Sequence, residues 1–318
     1  MEIQLPLPEV SQMLGMSLDR ARQLARENEP LAKSYASLTP SALRQLFMAR
    51  GFRYPKKNIV FHCLKGGAAK TTLAYNTAYR LSQLGTRVLL VDLDKQANAT
   101  HSFQVPRPKQ VFVDAVTGKC EIAELVVPLH SHLDLLPSSL ENARLEMELV
   151  NRKKNPQTFY RSLFAGVRDA YDVTILDLPP DLSHNTYLSS LFADTVCIPT
   201  NPDEYSVQGT RMTLASLEGL AEEYENLKQE ILIIWTKYDA REKNALEYIQ
   251  QLKPPPHARV LPVVIRTDVS YKNAQALGKS VFQLPRKSCA REDVDILARE
   301  LIGLRQFFSD PLKKETSA

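Results

Sequence analysis

The chain has 318 residues, 44% of them apolar and 24% charged, and a net charge of +4 at neutral pH. This length and composition allow a large buried core and exclude an intrinsically disordered protein. The sequence has no run of about 18 apolar residues and no basic-then-apolar start, so we expect a cytoplasmic protein rather than a membrane or secreted one.

All of the excess positive charge lies at the start of the chain. Residues 1–57 contain nine Lys or Arg and five Asp or Glu, whereas the remainder is balanced. This asymmetry is typical of a segment that meets a polyanion, although an ordinary solvated basic surface has the same composition.

The first 55 residues predict three short helices and no strands. The first helix ends at Gly15, the second is capped by Ser17 and runs to about Glu27, and the third has Thr39 as its cap with Pro40 in its first turn. We expect five apolar side chains of the first two helices to form their inner face: Val10, Met13, Leu14, Leu24 and Ala25.

This layout is typical of a small all-α helix-turn-helix domain, which we assign to residues 1–54. Four polar side chains of the second helix would then face DNA phosphates and base edges: Arg20, Arg22, Gln23 and Arg26. A plain helical dimerisation cap would have the same pattern, and only the charge favours the DNA-binding interpretation.

From Lys57 onward, short apolar runs alternate with helical or loop segments. The strand candidates are, in chain order, NIVFHC, RVLLVDLD, LDLLP, VTILDLPP, TVCIPT, ILIIWTKYD and VLPVVI. Between Val111 and Lys154 we expect peripheral helices and a single short strand. Strands that alternate with helices predict a doubly wound α/β fold with a mostly parallel sheet, which we assign to residues 55–318.

The stretch LKGGAAKTT follows the first of these strands and precedes a predicted helix. A phosphate-binding loop needs successive backbone N–H groups aimed at one point, a lysine for the β- and γ-phosphates and a hydroxyl for magnesium. Gly66, Gly67, Lys70 and Thr71 supply those parts, and Thr72 adds a second hydroxyl. The sequence therefore predicts a nucleotide site at this loop.

Acidic residues end two further predicted strands. Asp92 and Asp94 stand in LLVDLDKQ, and Asp177 stands in VTILDLPP. The carboxyl ends of parallel strands meet at one rim, so these acids can converge on a metal and on phosphates held by the loop. A single strand-end Asp is usually solvated or caps a helix, but three beside a lysine-bearing glycine loop favour a magnesium site.

Together these segments resemble a known family. KGGAAKTT, VLLVDLDKQANAT, YDVTILDLPPDLS and IPTNPDEYSVQGT resemble, in order and spacing, the deviant Walker-type partition ATPases of the ParA family, within the wider ParA/MinD group of P-loop NTPases. TKYDAR and IRTDVSYKNAQALGKSV resemble later blocks of that family, so the resemblance covers about residues 56–308.

The resemblance implies a role for each residue of the loop. Lys65 matches the family's signature lysine, which crosses a dimer interface to the partner's ATP. Lys70 matches the ordinary loop lysine, and Thr71 matches the magnesium ligand. The amide cradle would come from Gly66, Gly67, Ala68, Ala69, Lys70, Thr71 and Thr72.

The acids have matches too, with some departures from the family pattern. Asp94 matches the acid that helps to position the attacking water, and Asp92 and Asp177 match the acids of the magnesium environment. Ala69 replaces a glycine, which costs little if its φ is negative and on the order of 1 kcal/mol otherwise. DKQAN replaces the commoner DPQGN, and Asp181 stands where small hydroxyl residues are usual.

For the whole protein, the resemblance implies a magnesium-dependent ATPase of low intrinsic turnover that uses ATP and forms a homodimer on ATP. Such a dimer binds nucleoid DNA without sequence preference, and a ParB-like centromere-binding protein stimulates its hydrolysis. Basic residues of the body that could contribute to this DNA binding are Arg211, Arg241, Arg266 and Lys272. The N-terminal domain would bind an operator, favoured by ADP, and repress its own operon.

Three alternatives belong to other classes. A ParA-like ATPase could position a cargo other than DNA, such as chemotaxis clusters or microcompartments. A MinD-like membrane switch would need a C-terminal amphipathic helix, but Pro311 interrupts that segment, and we expect no membrane partner. A reductase similar to the nitrogenase iron protein would need cysteines near the Asp94 or Asp177 motifs, and none is suitably placed.

Overall fold

The computed structural model describes residues 4–28, 36–151, 154–224, 227–242 and 244–309. Pro311, on which the expectation about a C-terminal membrane helix depends, lies outside these residues. Within them, every helix is too short or too polar to cross a membrane.

The described residues form ten strands in two sheets. The strands are β1 (Leu5–Pro6), β2 (Ser37–Leu38), β3 (Lys57–Phe61), β4 (Val88–Asp92), β5 (Val127–His130), β6 (Leu133–Leu136), β7 (Val173–Asp177), β8 (Thr195–Thr200), β9 (Glu230–Tyr238) and β10 (Ala258–Arg266). The first two strands pair with each other, and the other eight form a central sheet in the order β10-β9-β8-β3-β7-β4-β6-β5.

Helices cover both faces of the central sheet. They are α1 (Leu7–Leu14), α2 (Leu18–Asn28), α3 (Pro40–Ala49), α4 (Lys70–Gln83), α5 (Asn98–Ser102), α6 (Phe112–Val116), α7 (Ile122–Leu125), α8 (Leu145–Val150), α9 (Pro156–Leu163), α10 (His184–Phe192), α11 (Glu204–Glu223), α12 (Ala245–Gln251), α13 (Ser270–Ala276), α14 (Cys289–Leu301) and α15 (Leu304–Ser309). Three short 3₁₀ segments lie at Leu140–Arg144, Arg168–Ala170 and Val281–Gln283.

The central sheet is parallel except at one edge, where β5 pairs antiparallel with β6. All seven apolar runs of the sequence contain or overlap one of its strands, so the prediction of a mostly parallel α/β sheet is confirmed. The expectation of a single strand between Val111 and Lys154 is wrong, because β5 precedes β6. Its sequence, VPLH, carries a proline and little apolar periodicity, which an edge strand tolerates.

Two apolar cores lie on opposite faces of the sheet. In β4, Val88 and Leu90 point into one core while Leu89 and Val91 point into the other, and all four are fully buried. A strand buried on both faces reads as a continuous apolar run, which is why VLLVD shows no alternation. The two cores account for the doubly wound layout.

The N-terminal helical segment, residues 4–28 and 36–54, contains the three expected helices. Gly15 ends α1 with φ 62°, Ser17 Oγ accepts from the backbone N of Arg20, and Thr39 Oγ1 caps α3. The expectation that this segment has no strands is wrong, because β1 and β2 pair antiparallel. They are two residues long, too short to leave a periodic signal in the sequence.

This segment packs directly on α4. Its buried side chains belong to the same core as those of α4 and α14. Arg80 of α4, with a side chain only 1% exposed, contacts Glu9 of α1 at 2.5 Å and Asp295 of α14 at 2.6 Å. The Tyr54 hydroxyl donates to the carbonyl of Leu84 at 2.8 Å. The three helices are thus joined to the helix that follows the glycine loop.

Candidate functional site

The loop between β3 and α4 forms one wall of a cleft of about 940 Å³. Gly67 and Ala69 both have left-handed backbone, with φ of 76° and 71°. Such alternation within a turn is how successive N–H groups converge on an anion. The expected site residues that line the cleft are Gly66, Gly67, Ala69, Lys70, Thr71, Thr72 and Asp94. Ala68 is instead buried beneath the loop.

Lys70 opens α4 and is buried at the base of the loop. Its Nζ donates to the backbone carbonyls of Cys63 and Lys65, 3.1 Å from each. Neutral carbonyls are weaker partners for an ammonium than phosphate oxygens. Lys70 is therefore held where an incoming phosphate can replace these contacts.

Lys65 does not reach the cleft of its own chain. Its Nζ lies 2.7 Å from each carboxylate oxygen of Asp203, the residue that caps α11. Asp203 also accepts from the backbone N and the hydroxyl of Ser206, at 2.9 Å each. Partial burial acts to raise the pKa of Asp203, but the bonds from Lys65 and Ser206 outweigh it and the pKa is lowered.

The predicted acids end neighbouring strands at the same level. Asp92 and Asp177 are directly opposite each other in the pairing of β4 with β7, and both are fully buried. Asp92 accepts from the backbone N and the hydroxyl of Thr100, at 2.8 and 2.7 Å. Asp94 lines the cleft and accepts from the backbone N of Gln96 at 2.9 Å. The structure thus brings the three acids to the rim that carries the loop.

Asp177 has chemistry that suits a cation. Neither of its carboxylate oxygens has a well-formed hydrogen bond among the described residues, although the Thr71 hydroxyl is close enough to act on its pKa. Burial and then the charge of Asp92 raise the pKa of Asp177 well above its ordinary range, although Thr71 and Lys70 act in the opposite direction. A buried carboxylate without partners is costly unless a cation or a proton satisfies it.

These residues fit a magnesium ion that is shared with a nucleotide. No group of three or more His, Cys, Asp or Glu side chains in the described ranges could hold a metal by itself. Magnesium commonly binds one or two carboxylates together with waters and substrate phosphates. Thr71 and Asp177 could supply the protein part of such a site, with Asp92 opposite Asp177 on the neighbouring strand.

The departures from the family pattern have visible consequences. Ala69 has φ 71° and Ala97, in DKQAN, has φ 54°. Because φ is positive at both positions, each alanine carries the steric cost, on the order of 1 kcal/mol, that the sequence predicts for a positive φ at Ala69. Asp181 lines the cleft, where its carboxylate accepts from Thr186 Oγ1 at 3.0 Å and from the backbone N of Ser183 at 3.2 Å.

The four polar residues proposed to read DNA lie on α2, and three of them contact acids of the same helix. Arg22 pairs with Asp19 at 2.9 Å, Arg20 lies 3.6 Å from Glu27, and Gln23 donates to Glu27 at 2.8 Å. These side chains are exposed, so the pairs are weak and a phosphate could displace the acids. Arg26 lies on the same helix.

Three of the four basic residues of the body are held by other groups of the described chain. Arg266 is held by Asp293 at 2.6 Å and by Glu292 at 3.0 Å, and Arg241 by Asp239 at 2.5 Å. Arg211 donates to a backbone carbonyl at 3.3 Å, and Lys272 lines the cleft. Arg241 and Arg266 are thus engaged in local ion pairs, and Arg266 lines the cleft together with Lys272.

Sequence reasoning missed two residues beside the loop, both at the end of β9. Thr236 is fully buried and donates to the carbonyl of Ala68, and Lys237 lines the cleft. TKYD predicted the end of a strand and TKYDAR resembled a later block of the family, but neither pattern assigned a role to Thr236 or Lys237, because a left-handed lysine leaves no signal in hydrophobic periodicity.

Known proteins match most of this chain. A family profile described as an AAA domain matches residues 56–233. The chromosome-partitioning ATPase Soj of Thermus thermophilus is 33% identical over 240 residues, which cover 75% of this chain and 92% of Soj. The cell division protein PomZ of Myxococcus xanthus is 24% identical over 301 residues, which cover 92% of this chain and 91% of PomZ.

Solved structures share the fold at lower identity. A Cyanothece McdA variant in complex with ATP superimposes with a TM-score of 0.70 at 22% identity, covering 79% of this chain and 98% of McdA. Cobyrinic acid a,c-diamide synthase of Mycobacterium smegmatis, with an ATP analogue and magnesium bound, gives 0.67 at 24% identity, covering 79% and 95%. These likenesses concern the fold.

Proposed function

Because this chain belongs to the ParA/MinD/Soj family of P-loop ATPases, we propose that it is a magnesium-dependent ATPase that acts in DNA partition. The observation that carries the proposal is the convergence, at the rim of the sheet that carries the loop, of a buried loop lysine and the buried Asp177 carboxylate, which has no well-formed hydrogen bond among the described residues. ATP brings the phosphates for Lys70, and magnesium brings the cation for Asp177.

Different residues of this chain have different roles in hydrolysis of the γ-phosphate. The amides between Gly66 and Thr72, together with Lys70, bind and orient the β- and γ-phosphates. Asp94, at the wall of the cleft, orients the attacking water. Thr71 and Asp177 would hold magnesium, which would neutralise negative charge on the phosphates. Positioning and electrostatic stabilisation supply most of the catalysis.

We infer that dimerisation on ATP involves Lys65. In the single chain, this lysine neutralises Asp203 instead of a phosphate. A second subunit that presents bound ATP would offer a more highly charged partner, and a ligand shifts an equilibrium only by such differential contacts. The dimer is then the state in which nucleoid DNA and a ParB-like centromere-binding partner are engaged.

The N-terminal helical segment is proposed to bind an operator and repress its own operon. Support comes from the helix-turn-helix layout of α1 and α2 and from the exposed Arg20 and Arg22. Gel shifts with DNA from upstream of the gene test this role. Unchanged binding after Arg20, Arg22 and Arg26 are all replaced by alanine would exclude α2 as the reader.

A positioning ATPase for another cargo is the second candidate function. The similarity to the cell division protein PomZ, which extends over 92% of this chain, supports this second candidate. The gene neighbourhood separates the two, because an adjacent gene for a centromere-binding protein belongs with DNA partition.

The decisive experiment is phosphate release from ATP, measured with and without DNA and the product of the neighbouring gene. We expect slow basal turnover that EDTA or Lys70→Ala abolishes and that the partner raises when DNA is present. Turnover no higher than that of Lys70→Ala in every combination would refute the ATPase assignment.

A further inference from the structure

Strand β9 has a bulge where it ends beside the loop. Along β10 the pairing advances two residues, from Val264 to Arg266, while along β9 it advances three, from Trp235 to Tyr238. The extra residue therefore lies in the stretch that contains Lys237. Bulges next to active sites commonly turn a side chain toward a new target.

Lys237 has a strained backbone in this bulge, with φ 52°. A left-handed conformation costs an L-residue about 1–2 kcal/mol, and glycine is the usual occupant of such bulge positions. Strain of this kind persists where the surrounding structure enforces it, and it clusters at ligand sites. Glycine would avoid this backbone cost, so we expect the lysine side chain to have a function at this position.

Thr236 fixes the end of the strand to the loop. Its buried hydroxyl lies 3.2 Å from the carbonyl oxygen of Ala68 and 2.8 Å from Oδ1 of Asn201, the residue that follows β8. These contacts place the backbone of Lys237 directly beside the loop.

The side chain of Lys237 extends back over the loop. Its Nζ lies 3.8 Å from the position that a Cβ on Gly67 would occupy. The side chain is exposed and lines the cleft, and no hydrogen bond or ion pair of its ammonium is found in the described parts of the chain. A solvated cation thus stands over the amide cradle.

Of the three lysines near the loop in the described residues, Lys237 is the one whose ammonium is free to bind the exposed side of a triphosphate. Lys65 forms an ion pair with Asp203, so in the single chain its ammonium does not reach the cleft. Lys70 is buried at the base of the loop, where its Nζ donates to the carbonyl of Cys63. A triphosphate carries several negative charges, and an ammonium on its open side would form a charge-assisted hydrogen bond with one of its oxygens.

We propose that Lys237 is a phosphate-binding residue of the nucleotide site, which acts in the same chain as Lys70 and is aimed by the strained bulge of β9. The inference rests on the proposed binding of ATP. It adds a cation that contributes before any second subunit supplies its own.

The test is the affinity for Mg-ATP, measured by isothermal titration calorimetry on four full-length variants. Lys237→Met removes the charge and keeps an unbranched side chain, and Lys237→Arg keeps the charge. Lys228→Met is the matched control, because this exposed lysine lies just before the opposite end of β9. Lys70→Ala tests the site itself, and thermal melting without nucleotide confirms that each variant is folded.

We expect Lys237→Met to weaken binding about tenfold, the loss typical of one charge-assisted hydrogen bond, and to make the affinity less dependent on salt. Lys237→Arg should recover most of the affinity, and Lys228→Met should match the unaltered protein. If the unaltered protein binds ATP and Lys237→Met stays within twofold of it, the inference is wrong. If the unaltered protein binds ATP no more tightly than Lys70→Ala does, the proposed function itself fails.

Discussion

Two alanines, Ala69 and Ala97, hold backbone conformations in which glycine is ordinarily favoured. Ala69 immediately precedes Lys70 in the phosphate-binding loop, and Ala97 immediately precedes α5. The left-handed region brings the Cβ of any other residue close to the following carbonyl oxygen. The loop therefore keeps its shape at the expense of stability.

Replacing either alanine by glycine should raise the free energy of unfolding by about 1 kcal/mol, because the steric cost disappears while the turn is kept. Urea unfolding of Ala69→Gly and Ala97→Gly measures the gain. Ala78→Gly, in the middle of α4, is the control and should lower stability. A loss of stability at all three positions would contradict the strain argument.

His62, at the end of β3, is a second residue whose environment has a measurable consequence. Burial, followed by the charge of Lys70, lowers the pKa of His62 from 6.5 to about 4. In the unfolded chain this side chain takes up a proton near pH 6.5, whereas the folded protein resists it. The contribution to stability is therefore complete above pH 6.5 and is lost as the pH falls toward 4.

The size of this contribution is about 3 kcal/mol by the usual conversion from pKa. His62→Gln should flatten the decline in stability between pH 6.5 and pH 4, whereas His257→Gln, at an exposed turn, should leave it unchanged. The measurement is urea unfolding at a series of pH values. An identical slope for His62→Gln and the unaltered protein would show that the buried imidazole is not responsible.

At the scale of elements, α4 links the loop to the N-terminal helical segment. Its first residue, Lys70, lines the cleft, and Arg80 in its last turn binds Glu9 and Asp295. The same guanidinium lies 4.8 Å from the ring of Phe282. One rigid helix thus connects the cleft with α1 and α14.

Arg80→Met should destabilise the protein by about 3 kcal/mol or more, because two carboxylates would lose their buried partner. It should also expose the N-terminal helical segment to proteases. Limited proteolysis and urea unfolding measure both effects. Arg22→Met removes an exposed pair on α2 and should change stability by less than about 1 kcal/mol. Equal effects of the two changes would contradict the role of Arg80.

Sequence patterns could predict the elements but not all of their contacts. The strands of the central sheet follow from apolar runs, and the loop follows from its glycines and lysine. The pairing of Lys65 with Asp203 joins residues 138 positions apart, and no local pattern encodes it. The bulge at Lys237 depends on the register of β9 against β10, which periodicity does not reveal. Small strands such as β1 are set by tertiary packing.

At the scale of the whole molecule, the proposed dimer depends on Lys65. Lys65→Ala should retain ATP binding, since Lys70 and the amide cradle remain, but lose dimerisation on ATP and stimulated turnover. Analytical ultracentrifugation with a slowly hydrolysed ATP analogue measures the first loss. Asp94→Ala is the comparison and should give dimers that hydrolyse ATP poorly. Full stimulated activity of a monomeric Lys65→Ala would contradict the cross-subunit role.

The core that the N-terminal helical segment shares with α4 and α14 limits how this protein can be divided. A truncated chain that begins at Lys57 would expose the apolar side chains of α4 and α14 that the N-terminal helical segment covers. The excised helices, in turn, would lose the surface on which they pack. Neither half would be expected to survive as a soluble fragment. Grafting the helices onto another enzyme would therefore require transplanting the surface beneath them as well.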